Sequence, residues 1–149
     1  MTAPPTTVQP AKLERTWRVL GGFVSVGALG VLLIAVMLRP SGEGHGTHTQ
    51  LGMPDCAWAV TLDTPCPTCG MTTSFAHAAG GDLLTSIVTQ PLGFLLVIGT
   101  ASTVWGGAHT AIGGVRLGPL LGAMTTKWSM WGLAAAALGA WVYKIITWG

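Results

Sequence analysis

The sequence predicts an all-α membrane protein with three transmembrane helices plus one or two short interfacial or re-entrant helices. Three observations lead there. Half of the 149 residues are hydrophobic and only 8% are charged, whereas a soluble domain carries about 25% charged residues. So few charges cannot cover a water-facing surface of this size. Three apolar runs are each long enough to cross a hydrocarbon core of ~30 Å at ~1.5 Å per residue. Polar breaks rich in glycine and proline separate them.

The length fits one compact unit. A net charge of +2, with the seven Lys and Arg spread along the chain, gives no basic face for nucleic acid. No repeat recurs at a period of about 20–50 residues.

Residues 1–16 read as a disordered cytoplasmic tail, with Pro4, Pro5 and Pro10 among threonines and little apolar surface to bury. Residues 17–38 form the first predicted transmembrane helix, with Arg18 as the ionisable group at its edge. Backbone amides in lipid must be satisfied within the segment, which makes it helical. Arg39-Pro40 stops it. No Ala-x-Ala-like site follows Leu38, which favours a retained helix over a cleaved signal.

Residues 39–65 read as a polar loop, flexible at Gly42, Gly44, Gly46 and Gly52. Residues 66–90 hold a cysteine motif and two short helices. The first, Met71 to Ala79, is closed by Gly80-Gly81, because glycine tolerates the left-handed cap. The second, Leu83 to Thr89, is capped by Asp82. Gln90-Pro91 separates it from the next span: the residue before proline avoids helix, and proline suits a first helical turn.

Residues 91–108 are the second predicted span, 109–127 a loop, and 128–146 the third span. Gly99, Thr103 and Gly107, and likewise Gly132, Ala136 and Ala140, make small-residue stripes suited to close helix contact. Trp128, Trp131, Trp141, Tyr143 and Trp148 suit the two membrane interfaces, and Lys144 is placed to snorkel. Lys12, Arg15, Arg18, Arg116 and Lys127 fall on one side, against Arg39 and Lys144 on the other. Positive-inside counting then places the N-terminus in the cytoplasm and the cysteine motif on the outer side of the membrane.

The cysteines are Cys56, Cys66 and Cys69. Cys66-Pro67-Thr68-Cys69 lies just before a helix start, where backbone donors stabilise a thiolate. Three uses are open. Cys66 and Cys69 can exchange thiol for disulfide, as in a membrane oxidoreductase, although the βαβ pattern of such enzymes is absent. Cys56, Cys66 and Cys69 can hold a metal ion such as Zn, with His45 or His48 as fourth ligand. A disulfide can pin the loop in an oxidising compartment. His77 shares a helix face with Cys69, but eight residues of helix span ~12 Å, too far for one ion with bonds of ~2.0–2.3 Å. Cys56 should fold back on the other two.

Cys66-Pro67-Thr68-Cys69-Gly70-Met71-Thr72, then Gly81-Asp82-Leu83 and Gln90-Pro91-Leu92, resemble a bacterial membrane-protein family filed as domain of unknown function 2752. Its members read roughly C-P-x-C-G-h-T-R-A, R-G-D-h and N-P-h, often with an earlier cysteine, matched here by Cys56. Thr73 stands where the family has Arg, and Gln90 where it has Asn. The resemblance implies a membrane protein with a cysteine motif and selects none of the three uses. The expected role is a non-catalytic accessory or assembly subunit, in contact with the lipid bilayer and with other membrane protein subunits.

Overall fold

The computed structural model describes residues 15–114 and 126–148. The described residues are helical and contain no strand. Among the described residues six α-helices follow in order: α1 Arg15–Met37, α2 Ala57–Leu62, α3 Met71–Ala79, α4 Leu83–Thr89, α5 Pro91–Gly113 and α6 Lys127–Ile146. A 3₁₀ turn, Thr47–Leu51, lies between α1 and α2. Helices α1, α5 and α6 are long and apolar enough to cross a membrane. They carry their large side chains outward: Phe23, Val26, Met37, Trp105, Ile112 and Trp131 are all exposed. Such a surface suits lipid and would be costly in water.

α1 and α5 form the main pair, and small residues set its closeness. A Cβ on Gly107 would lie 2.6 Å from the Gly21 carbonyl oxygen and 2.9 Å from Ser25 Cβ. Ser25 Oγ donates to Val104 O at 2.8 Å. Arg18 donates from Nε and Nη2 to the carbonyls of Ala111 and Ile112, both at 3.0 Å. Contacts therefore run down α1 as they run up α5, so the two are antiparallel. Arg18 also satisfies carbonyls that the end of α5 leaves without partners.

That cap and that packing explain why α5 continues to Gly113, past the break expected after residue 108. Gly107 does not end the helix, and its close approach to Gly21 and Ser25 leaves room there only for a small residue. Gly114, at φ 65°, ends it instead. Most of the expected 109–127 loop, including Arg116, lies outside the described residues, as does the tail before Arg15. Of the expected stripe on this helix, Gly107 meets α1, whereas a Cβ on Gly99 would meet nothing within 4 Å. The same open space surrounds Gly132 on α6.

α3 and α4 fold against the start of α5 through hydroxyls. Ser74 Oγ lies 3.0 Å from Ser86 O, 2.8 Å from Ser86 Oγ and 3.2 Å from Gln90 O. Ser86 Oγ donates to Ser74 O at 2.8 Å. A Cβ on Gly93 would sit 2.9 Å from Ser74 Oγ, so the first turn of α5 carries a glycine where α3 crosses it. The signals for these helices act as their chemistry dictates. Asp82 accepts from the Thr85 N–H at 3.1 Å, and Gln90 is extended at φ −160° ahead of Pro91. The Asp82 carboxyl is held below its ordinary range by the Thr85 side chain and backbone N–H.

The segment expected as an unstructured polar loop, 39–65, contains both the 3₁₀ turn and α2. Gly46 and Gly52, at φ 82° and 77°, bracket the turn. Thr47 inside it is buried and its Oγ1 lies 2.8 Å from Thr73 Oγ1 of α3. Thr73 thus locks the loop onto α3.

Candidate metal centre

The Cys66–Cys69 segment turns because of its backbone bonds. Cys69 N donates to Cys66 O at 3.0 Å and Met71 N to Thr68 O at 3.1 Å. Gly70 then enters α3 at φ 84°. A Cβ there would stand 2.7 Å from Gly44 O, so both conformation and space demand glycine. Gly70→Ala should destabilise the protein by about 1–2 kcal/mol from the left-handed conformation alone, with the clash added. Thermal unfolding in detergent checks this, and a variant as stable as wild type would refute it.

Three thiols converge at this turn. Cys66 Sγ lies 3.2 Å from Cys69 Sγ, and Cys69 Sγ lies 3.6 Å from Cys56 Sγ. All three sulfurs fall within 4.8 Å of one another. None is in a disulfide. Cys56 arrives from the other end of α2, at whose start it sits. The six residues of α2 and the short connection after it bring the chain back to Cys66, as the apolar segment around Trp58 suggested.

Backbone N–H groups reach two of these sulfurs, those of Cys69 and Cys56. Cys66 N donates to Cys69 Sγ at 3.2 Å. Thr68 Oγ1 lies 3.2 Å from Cys66 Sγ. The Ala59 backbone N–H, in the first turn of α2, is the chief cause that brings the Cys56 thiol down to about 7, against the opposing effect of burial. Burial, followed by the Cys66 thiol, pushes Cys69 up to about 12, and the Cys66 N–H acts against them. The trio therefore pairs a more readily ionised thiol, Cys56, with a buried one, Cys69, that keeps its proton near neutral pH.

The three sulfurs line the wall of a cavity of about 1030 Å³, and His45 and His48 line it too. Neither histidine joins the converging sulfurs. His45 Nδ1 lies 3.0 Å from Glu43 O, and its ring packs on Trp148 with centroids 4.5 Å apart. His48 Nε2 lies 3.1 Å from Pro54 O. His77 is turned elsewhere, with Nδ1 3.4 Å from Asp82 Oδ2, in keeping with the helical distance that separates it from Cys69.

Two residues that hold the loop were not legible as such in the sequence. Gln90, completely buried, donates from Nε2 to Pro67 O at 3.3 Å. Trp141 Nε1 of α6 donates to Pro65 O at 3.0 Å, just ahead of Cys66. Lys144, expected to snorkel, does not. It is 5% exposed and its Nζ donates to Gly44 O at 3.2 Å and to Thr89 O at 3.4 Å. A lysine near a helix end, flanked by Trp and Tyr, carries the same local signature whether it faces headgroups or a neighbouring loop. Only the tertiary arrangement separates the two.

A family model described as a protein of unknown function (DUF2752) matches residues 56–104. The matched stretch begins at Cys56, takes in the cysteine turn, α3 and α4, and ends within α5. It is the segment on which the resemblance rests. No curated protein and no solved structure matches the chain.

Proposed function

We infer, from a segment matching a family of unknown function and a trio of converging thiols, that this chain is a small integral membrane protein that binds a thiophilic metal ion of the zinc type. Cys56, Cys66 and Cys69 are the ligands. The observation that carries this reading is the third sulfur. A disulfide or a dithiol exchange needs two cysteines, yet Cys56 is brought within reach of both others. Thiolates select soft and borderline ions, and an ion there would tie α2 to the start of α3. His45, His48 or water on the cavity side would complete four ligands.

The role that fits is non-catalytic, an accessory or assembly subunit whose exposed apolar helices meet lipid and other membrane subunits. Positive-inside counting supports a cytoplasmic N-terminus, with the metal centre on the outer side of a bacterial inner membrane. A second reading, membrane thiol–disulfide exchange, has one observation in its favour. Cys66 and Cys69 are 3.2 Å apart, with Cys66 half-buried and Cys69 buried, as an attacking and a resolving thiol would be.

Metal analysis of the full chain, purified in mild detergent, together with intact mass after alkylation, separates the two. One ion per chain and slow alkylation until a chelator is added are expected. A metal-free protein whose Cys66 and Cys69 cycle between dithiol and disulfide would replace the metal reading with the second.

A further inference from the structure

Lys144 presents a problem that its hydrogen bonds do not solve. Its ammonium is buried, and two backbone carbonyls take two of its three donors. The Trp148 ring lies 6.0 Å from Nζ. Carbonyls and a ring face carry only partial charge, and a buried cation is costly without a full counter-charge. Among the described residues no carboxylate pairs with it, since the ion pairs there join His45 to Glu43 and His77 to Asp82.

Glu43, Asp55 and Asp63 line the same cavity as Lys144, but among the described residues none forms an ion pair with it; the groups that would become anionic on metal ligation are the cysteines. A Cβ on Gly70, the residue after Cys69, would lie 3.4 Å from Lys144 Nζ. Lys144 lines the same cavity wall as Cys56, Cys66 and Cys69. Three thiolates around a divalent ion carry one net negative charge, which one ammonium balances. A monovalent ion on the same three thiolates would leave a negative charge over.

We propose that Lys144 is the positioning residue that supplies the counter-charge of the metal–thiolate centre, so that the site takes a divalent ion on three thiolates as a neutral whole. The proposal rests on the metal reading above and adds to it the charge of the ion and a residue from the third span. It also gives α6 a reason to end where it does. Trp141, Lys144 and Trp148 reach Pro65, Gly44 and His45 respectively, so the last turns of α6 close over the centre.

The test is a Cd²⁺ titration of the full chain in detergent micelles, followed by the sulfur-to-cadmium charge-transfer absorption. Lys144→Gln keeps amide donors for the two carbonyls but removes the charge. It should bind Cd²⁺ about 10-fold more weakly or worse, the range for an outer-shell partner. Absorption per bound ion should fall too, because one thiol then keeps its proton. In a Cys56→Ser background, where one thiolate is already gone, the same substitution should lose clearly less affinity. Lys144→Met, which removes charge and donors together, should behave like Lys144→Gln if charge is the cause. Unchanged affinity and absorption in Lys144→Gln would overturn the proposal and leave the metal site standing. Equal losses in both backgrounds would assign Lys144 a packing role and overturn it as well. No charge-transfer band in the wild-type protein would overturn the metal reading, and this proposal with it.

Discussion

Cys69→Ser should abolish metal binding. Cys69 is the middle sulfur of the trio, 3.2 Å from Cys66 Sγ and 3.6 Å from Cys56 Sγ, and it receives the Cys66 N–H. A serine hydroxyl does not ionise near neutral pH and is a poor ligand for a thiophilic ion. The variant should retain less than about a tenth of the wild-type metal after dialysis against a chelator, a loss larger than that of an outer-shell partner. Cys56→Ser should lose less, since the C-x-x-C pair remains. Metal binding should also strengthen as pH rises, because each thiol gives up a proton on ligation. Cys56 at about 7 ionises easily, whereas Cys69 at about 12 loses its proton only to the ion. Full metal content in Cys69→Ser, or an affinity flat between about pH 6 and 8, would rule the centre out.

The second large effect separates two glycines that look alike in the sequence. Gly107→Leu should destabilise the α1–α5 pair by about 1–3 kcal/mol or more, the range for overpacking. Its first side-chain carbon would already meet the Gly21 carbonyl at 2.6 Å. Forcing the helices apart would also break the bond from Ser25 to Val104. Gly99→Leu should be neutral or mildly stabilising, since a Cβ there meets nothing within 4 Å and leucine outranks glycine in helix by up to about 1 kcal/mol. Thermal unfolding of both variants in one detergent is the measurement. Equal losses would mean that Gly99 also faces a tightly packed neighbour.

These cases show what the sequence could and could not reveal. The spans were legible from apolar runs, because lipid leaves the polar backbone of an apolar segment no alternative to helix. α3 and α4 were legible because Gly70, Gly80-Gly81, Asp82 and Pro91 each impose a local conformation. The return of Cys56 was legible from a short apolar connection. The 3₁₀ turn and α2 were not, since five or six residues hold too little pattern to show a period. The end of α5 was missed because Arg18, almost a hundred residues away in sequence, caps it. Gly99 and Gly107 share a spacing but not a neighbour, which four-residue periodicity cannot express. Lys144 and Gln90 act through contacts with distant loops, and no neighbour in sequence announces them.

The deepest part of this molecule is built of hydroxyls and an amide. Gln90, Thr47, Thr73, Ser74 and Ser86 are among its most completely buried side chains, while leucines, valines and tryptophans lie outside. A water-soluble domain has the opposite arrangement, and the map of tolerated change inverts with it. Exchanging one apolar residue for another on the outer faces alters little, because lipid accepts either. Loss of one oxygen from the Ser74–Ser86 pair removes buried hydrogen bonds that no solvent can replace. For this chain, the conservative substitutions are the bulky apolar ones at the rim, and the radical ones are as small as serine to alanine at the centre.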